Sequence, residues 1–217
     1  MDLTQLAAPP HTAVLTMELQ RGVVGDLALM RVLADQVVED GTLVVVGRLC
    51  AAARAAGVRI VHCTAESRHD GAGSAVNTRI FAAAERMRRE GRSPNMTGSP
   101  GAALMPEVGP DERDIVVPRL HGMTPFTSTS LDQILRNLGI TTVVAVGVSL
   151  NLGIPGMVLG AVDRGYQVVI SRDAVTGTPP EYADAVIEHA LSLVATIVDT
   201  DELIDAWATE ARSDEPG

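Results

Sequence analysis

The sequence contains no lysine. Its 217 residues include 17 lysine or arginine residues, and all 17 are arginine. A chain without lysine cannot form a lysine Schiff base, a lysine-containing phosphate loop or a lysine-dependent catalytic triad. It has only two cysteines, Cys50 and Cys63, which do not suggest a disulfide scaffold and favour a reduced, cytoplasmic compartment. No run of about 18 uninterrupted apolar residues occurs, so we expect no membrane-spanning helix and no membrane partner. The first residues also lack the basic and apolar regions of a secretory signal.

Positive charge is scarce as well. The 17 arginines are outnumbered by 27 acidic residues, which gives a formal net charge of −10 and a pI of about 4.9. That balance argues against a nucleic-acid partner. The hydrophobic fraction of 46% and the charged fraction of 20% are typical of a packed core. We therefore expect a single domain over 1–217, with frayed ends at roughly 1–9 and 210–217.

Apolar runs alternate with helical spacing along the chain. The predicted strands cover 14–17, 58–63, 114–117, 141–146, 167–170 and 196–198, with Pro118 and Gly147 ending the third and fourth. The predicted helices lie around 43–53, 80–89, 130–138, 152–164, 182–194 and 201–208. Strands that alternate with helices favour parallel pairing and right-handed crossovers. The predicted fold class is α/β, a three-layer α/β/α sandwich around a mostly parallel sheet of about six strands.

The strand ends and one long segment are the places to look for a site. Ligands of open parallel sheets bind beyond the carboxyl ends of the strands, which here present Glu18, Cys63 or Thr64, Arg119 and the turn at 149–151. The segment 65–110 is rich in glycine, proline, serine and asparagine. A long irregular segment of this kind is typical of a lid or a partner-binding loop.

Three stretches carry a resemblance to a known family. The first is AVLTMELQ at 13–20, an apolar strand that ends in Glu-x-Gln where the family has Asp-x-Gln. The second combines DIVVPR at 114–119 with TPFTSTSL at 124–131. The third is VGVSLNLG at 146–153, followed by AVDRGY at 161–166 and RDAV at 172–175. The chain resembles the isochorismatase-like superfamily, which also contains cysteine hydrolases such as nicotinamidases and N-carbamoyl amidohydrolases, and the likeness spans nearly the whole chain.

The resemblance implies a changed catalytic triad. The family's cysteine hydrolases use an aspartate, a lysine and a cysteine. At these positions the chain has Glu18, then Arg119 about one residue out of register with Leu120 at the ungapped position, and finally Gly153. Glycine cannot form a thioester. Isochorismatases also carry glycine there and protonate an enol ether with the acidic residue, so the resemblance implies either that branch or lost catalysis.

Each of the charged candidates has two readings. A carboxyl group in an apolar cleft has a raised pKa, so Glu18 can act as a general acid, or it can form a structural ion pair with an arginine. Arg119 can hold a substrate carboxylate by a bidentate contact or serve as the partner of Glu18. His121 on the same loop can exchange protons, although a loop histidine is more often solvated or structural.

The turn after the fourth strand supplies further candidates. Backbone N–H groups near Ser149 and Asn151 would favour developing negative charge, whereas both residues suit helix capping equally well. The resemblance implies a cis peptide between Val148 and Ser149. It also implies substrate-binding roles for Gln20 and Phe126, which stand in the matched motifs.

Metal and thiol chemistry are not expected. His62, His69 and Asp70 form an incomplete version of the set that metal-binding nicotinamidases carry after this strand, so we predict no metal and no cofactor. Cys63 is the one thiol that could face the cleft, which leaves a weaker thiol-enzyme alternative. A cysteine in a strand is more often a small core residue.

We therefore expect an isochorismatase-like hydrolase that acts on a small, anionic molecule by non-covalent acid catalysis through Glu18. A labile C–O bond such as an enol ether suits these residues better than an amide does. The alternative is a catalytically degenerate family member that binds a small molecule or serves in assembly. The resemblance also implies a homo-oligomer, a dimer or larger, with the 65–110 segment as the contact.

Overall fold

The computed structural model describes residues 2–213 of the chain, without the side chains of residues 128 and 210–213, and six segments of it form one sheet. The strands are β1 Thr12–Met17, β2 Arg59–Ala65, β3 Ile115–Arg119, β4 Thr142–Val148, β5 Gln167–Thr176 and β6 Thr196–Val198. Their order is β3-β2-β1-β4-β5-β6, and every neighbouring pair is parallel. The predicted α/β fold with a six-stranded parallel sheet is confirmed.

Helices cover both faces of the sheet. They are α1 Leu3–Leu6, α2 Arg21–Val24, α3 Arg31–Glu39, α4 Thr42–Ala55, α5 Arg79–Arg89, α6 Pro125–Ser128, α7 Leu131–Asn137, α8 Gly153–Val162, α9 Pro180–His189 and α10 Thr200–Ser213. One core joins α3, α4 and α10 to one face of the sheet, and a second joins α6 to α9 to the other face. Within residues 2–213, no helix has the length and apolarity needed to cross a bilayer.

The central strand shows why the sequence predicted this arrangement. All six residues of β1 are buried, and its neighbours Val14 and Leu15 belong to different cores. A strand buried on both faces reads as a continuous apolar run rather than an alternating one. The chain leaves the core at the carboxyl end of β1, and Glu18 is the next residue.

Two predicted strand ends need correction. β3 continues through Pro118 to Arg119 because it is an edge strand, where proline's missing N–H removes no central ladder bond. β4 continues through Gly147 to Val148, and Gly147 takes a φ of +107° rather than forming a turn. A Cβ at that position would lie 2.4 Å from the Met17 carbonyl oxygen, so glycine here allows two strands to approach closely.

The other differences concern helices and ends. β5 continues to Thr176, α9 stops at His189, and α3 was not predicted.

The expected fraying of residues 1–9 is wrong for the described part: α1 forms and Ala7 is fully buried. The Trp207 indole Nε1 donates to the Ala7 carbonyl over 2.8 Å, which fixes this end against α10. At the other end α10 reaches Ser213, and 214–217 lie outside the described residues.

Candidate active site

A cavity of about 510 Å³ lies at the carboxyl ends of β1, β3 and β4. Glu18, Arg119, Ser149 and Gly153 line it on the side of the sheet, together with the exposed His121. Residues at the start of α3 and along α5 line the opposite wall. The cavity therefore occupies the place where open parallel sheets bind ligands.

Glu18 has an unusual backbone conformation. Its φ of +55° is the one positive φ of a non-glycine residue in the described chain. This left-handed conformation costs about 1–2 kcal/mol for a residue with a Cβ. The Glu18 N–H still donates to the Cys63 carbonyl over 2.9 Å, so the main chain stays attached to β2 while the side chain lines the cavity.

Arg119 contacts Glu18 directly. Its Nη2 donates to Glu18 Oε1, and its Nη1 donates to the Gly122 carbonyl oxygen. The side chains of Arg119 and Glu18 are 9% and 20% exposed. Arg119 is therefore the partner of Glu18, which is one of the two readings that the sequence left open. The guanidinium retains further N–H groups, so this contact does not exhaust its donors.

Burial and Arg119 shift the pKa of the Glu18 carboxyl group in opposite directions. Burial raises the pKa of the Glu18 carboxyl, whereas the charge of Arg119 and its hydrogen bond lower it. The burial effect is the larger, so the pKa lies above its usual value. A carboxyl group in this state can hold a proton for donation, and the adjacent guanidinium stabilises the carboxylate that remains.

Gly153 begins α8 in a space with no room for a side chain. A Cβ there would lie 2.8 Å from the Val148 carbonyl oxygen and 3.2 Å from Met17 Cε. The Val148–Ser149 peptide, at the end of β4, is cis, as the resemblance implied. The N–H groups of Leu152 and Ile154 both donate to the Ser149 carbonyl, at 3.2 and 3.0 Å, so these two are already used within the turn.

Three predicted substrate-binding residues already have contacts within the protein. Gln20 Nε2 donates to the Ala65 and Ala102 carbonyls, both over 3.1 Å, and its Oε1 accepts from the Ala65 N–H over 2.7 Å. Asn151 makes two hydrogen bonds with the backbone of Thr178. Phe126 is buried in the core. These contacts do not support the predicted binding roles, because the polar groups of Gln20 and Asn151 already have partners.

The ring of Phe126 packs at a tilt against the ring of Tyr166, with the ring centroids 5.7 Å apart.

Ser149 and His121, in contrast, both line the cavity as predicted. Whether either contacts a substrate stays a prediction.

Neither thiol reaches the cavity. Cys63 and Cys50 are both buried, and burial raises the pKa of each thiol to about 12. Cys63 is not among the residues that line the cavity, and a thiol with a raised pKa supplies little thiolate near neutrality, so these observations do not support the Cys63 alternative. His62 is equally enclosed, between the Thr16 hydroxyl and the Asp114 carboxylate.

The wall opposite Glu18 was missed by the sequence reasoning. Met30, Leu33, Ile80 and Met87 line the cavity from α3, α5 and the residue before α3. For Ile80 and Met87, the available signal was the helical spacing of apolar residues in a segment already suspected to be a lid. That spacing gave no indication of which face would meet the strand ends. Met30 and Leu33 lie outside that segment, where α3 was not predicted.

Comparison with known proteins decides the family. The Isochorismatase domain model matches residues 12–202, which include Glu18, Arg119 and Gly153. The chain belongs to the isochorismatase family. It is thus a member of an isochorismatase-like hydrolase family.

Individual relatives of this isochorismatase-family chain are distant. The uncharacterized isochorismatase family protein YwoC of Bacillus subtilis (strain 168) is 27% identical over 143 residues, 64% of this chain and 75% of that protein. The ureidoacrylate amidohydrolase RutB of Pseudomonas savastanoi pv. phaseolicola is 26% identical over 184 residues, 81% and 74% of the two chains. A cysteine hydrolase structure from Pseudomonas syringae pv. phaseolicola has a TM-score of 0.76 at 20% identity, covering 94% and 95% of the two chains. That structural likeness shows the fold alone.

The tight surroundings of Gly153 give a first testable prediction. We expect Gly153→Ala to lower the free energy of unfolding by about 1–3 kcal/mol, because the added Cβ would overlap the Val148 carbonyl. Thermal or denaturant unfolding measures this change. Gly156→Ala in the same helix is the control, since its Cβ would meet nothing closer than 3.8 Å and alanine favours helix. A Gly153→Ala protein as stable as the control would contradict the argument.

Proposed function

We propose that this isochorismatase-family chain is a hydrolase of a small molecule that uses Glu18 as a general acid without a covalent intermediate. The observation that carries the proposal is the Glu18 carboxyl group, whose pKa is raised by burial, at the wall of a cavity beside Gly153. No thiol of the described residues lines the cavity, and in the proposed reaction the attacking group is water. The family's isochorismatase branch supports an enol ether as the labile bond.

The proposed step balances with one water molecule. The Glu18 carboxyl transfers its proton to the terminal carbon of the enol-ether double bond, and the adjacent carbon becomes an oxocarbenium ion. Water adds to that carbon, a proton passes to the ether oxygen, and the C–O bond breaks to give a ketone and an alcohol. The remaining proton of the water restores the carboxyl group. Arg119 stabilises the Glu18 carboxylate while it is charged.

Glu18→Gln tests the proposal. The amide keeps the size of the side chain and cannot donate a carboxyl proton, so we expect turnover of simple vinyl ethers to fall by about 10²-fold or more. For the unaltered protein, kcat/KM should decrease as the pH rises through the raised pKa of Glu18, because the protonated form is the active one. Glu112→Gln, at an exposed position, is the matched control. Equal turnover by unaltered protein and Glu18→Gln would remove Glu18 from the mechanism.

One observation favours the alternative of binding without turnover. The contact between Arg119 and Glu18 pairs the two charges, and a structural ion pair needs no reaction to explain it. Binding of a small molecule in a thermal-shift assay, with no turnover of any bound compound, would support a ligand-binding or assembly role. The single-domain and homo-oligomer expectations stay predictions in either case.

The charges of the lining do not favour the anionic substrate expected from the sequence. Three acidic side chains, those of Glu18, Glu66 and Glu85, line the cavity together with two guanidinium groups, those of Arg88 and Arg119. The cavity therefore has no excess of positive charge to attract an anion.

A further inference from the structure

The wall opposite Glu18 is apolar and open to solvent. Met30 and Leu33 line it from the α3 side, and Ile80 and Met87 line it from α5. Met30 is 61% and Ile80 46% exposed, so large apolar groups face the cavity. We propose that the substrate or ligand of this cavity carries an uncharged apolar body, an alkyl or aryl group, which packs against this wall.

The arrangement of charges supports an uncharged body. Glu85 accepts two hydrogen bonds from Arg88, at 2.7 and 2.8 Å, and a third from Arg89 at 2.7 Å. Arg119 donates a single side-chain hydrogen bond to Glu18. Each lining guanidinium thus already bonds an acidic side chain of the protein itself, which favours a ligand body without charge.

The shape and chemistry of the wall also fit this class of ligand. A volume of about 510 Å³ falls within the range of about 300–1,000 Å³ that is usual for pockets that bury small organic molecules. Methionine adapts its side chain to irregular ligands, and Met30, Met87 and Met123 all line the cavity. Because burial of apolar area is favourable, a ligand that covers these side chains gains affinity in proportion to its own apolar surface.

The inference deepens the proposed function and rests on it for the orientation of the ligand. The reacting polar group would meet Glu18 and Ser149 at the sheet side, and the apolar body would extend toward α3 and α5. A compact polar metabolite would leave the apolar wall in contact with water and would gain nothing from it.

A homologous series of neutral amides tests the inference. Calorimetric titration with butanamide, hexanamide and octanamide should show affinity that rises about fourfold for each added methylene. Ala84→Asp, which places a charge on the cavity side of α5, should weaken octanamide binding at least tenfold. Ala82→Asp is the matched control on the same helix, at an exposed position, and should leave binding unchanged.

The possible outcomes separate the inference from the proposed function. Affinity that does not change with chain length, or equal weakening by both aspartate variants, would overturn the apolar-body inference. The amide series is to be repeated with Glu18→Gln. If length dependence persists while Glu18→Gln retains full turnover, only the proposed acid role fails. If Glu18→Gln abolishes turnover while affinity ignores chain length, only the inference fails.

Discussion

Asp114→Ala is expected to lower the free energy of unfolding by about 3–5 kcal/mol, because it removes one partner of a buried, charged network. Asp114 Oδ2 accepts from Arg54 Nη2 over 2.6 Å and from the Asp111 N–H over 2.9 Å. Its side chain is 4% exposed, and that of His62, which contacts the same oxygen over 3.1 Å, is fully buried. The substitution would leave a guanidinium and an imidazole in the interior without their carboxylate.

The protonation states of this network follow from its contacts. A carboxylate only accepts hydrogen bonds, so His62 Nε2 carries the proton toward Asp114, and Nδ1 accepts from the Thr16 hydroxyl over 2.8 Å. Burial lowers the pKa of His62, although Asp114 opposes this effect, and the ring is therefore neutral near pH 7. Burial alone would raise the pKa of Asp114, but hydrogen bonds from Arg54, the Asp111 backbone and His62 hold it below its usual value.

Thermal unfolding near neutral pH measures the Asp114 effect. For a chain of this length, 3–5 kcal/mol corresponds to a decrease in Tm of roughly 6–20 °C. Asp111→Ala is the matched control, three residues earlier in the same loop, since Asp111 pairs with the exposed Arg113 and its loss should leave Tm almost unchanged. If the two variants had the same Tm, the buried network would not contribute as argued.

Gly147→Ala is expected to lower the free energy of unfolding by about 3 kcal/mol or more. Two effects combine: a φ of +107° that alanine rarely adopts, and a Cβ 2.4 Å from the Met17 carbonyl oxygen and 2.8 Å from its nitrogen. Both contacts are with backbone atoms of β1, which cannot move aside by a change of rotamer. Because Met17 precedes Glu18, the displaced strand would also shift the proposed acid.

Gly57→Ala separates the two effects at Gly147. Gly57 has a φ of +80°, but a Cβ there would meet nothing within 4 Å. We expect this control to lose only the conformational cost, about 1–2 kcal/mol. Denaturant unfolding of both variants gives the comparison. Equal losses would mean that the approach of β4 to β1 is not the reason for glycine at 147.

The order of the elements could be predicted because most strands are short apolar runs between polar turns. Their ends could not, since they depend on neighbours distant in the sequence. Pro118 is acceptable within β3 because that strand lies at the sheet edge, and Gly147 continues β4 because Met17 is close. Neither condition can be read from local sequence, and both residues locally suggest a stop.

The candidate site was predictable at the level of strand ends. Glu18 and Arg119 are 101 residues apart in the sequence, and they meet because parallel strands end at one edge of the sheet. Gln20 illustrates the limit of that reasoning. Its amide is chemically suited to a substrate, yet it is used by the Ala65 and Ala102 backbones, the second of them 82 residues away. Residue type indicates what a side chain can bond, whereas the fold determines which partners it has.

The contact between Trp207 and Ala7 gives the protein an intrinsic fluorescent probe. Trp207 is the chain's single tryptophan, it is almost fully buried, and its indole N–H is bonded to the Ala7 carbonyl. Its fluorescence therefore reports on the packing of the N-terminal segment against α10, on the other side of the sheet from α8. Quenching of this fluorescence by a soluble quencher would show that the N-terminal segment has separated from α10. Binding of a ligand beside Glu18 would leave the emission unaltered.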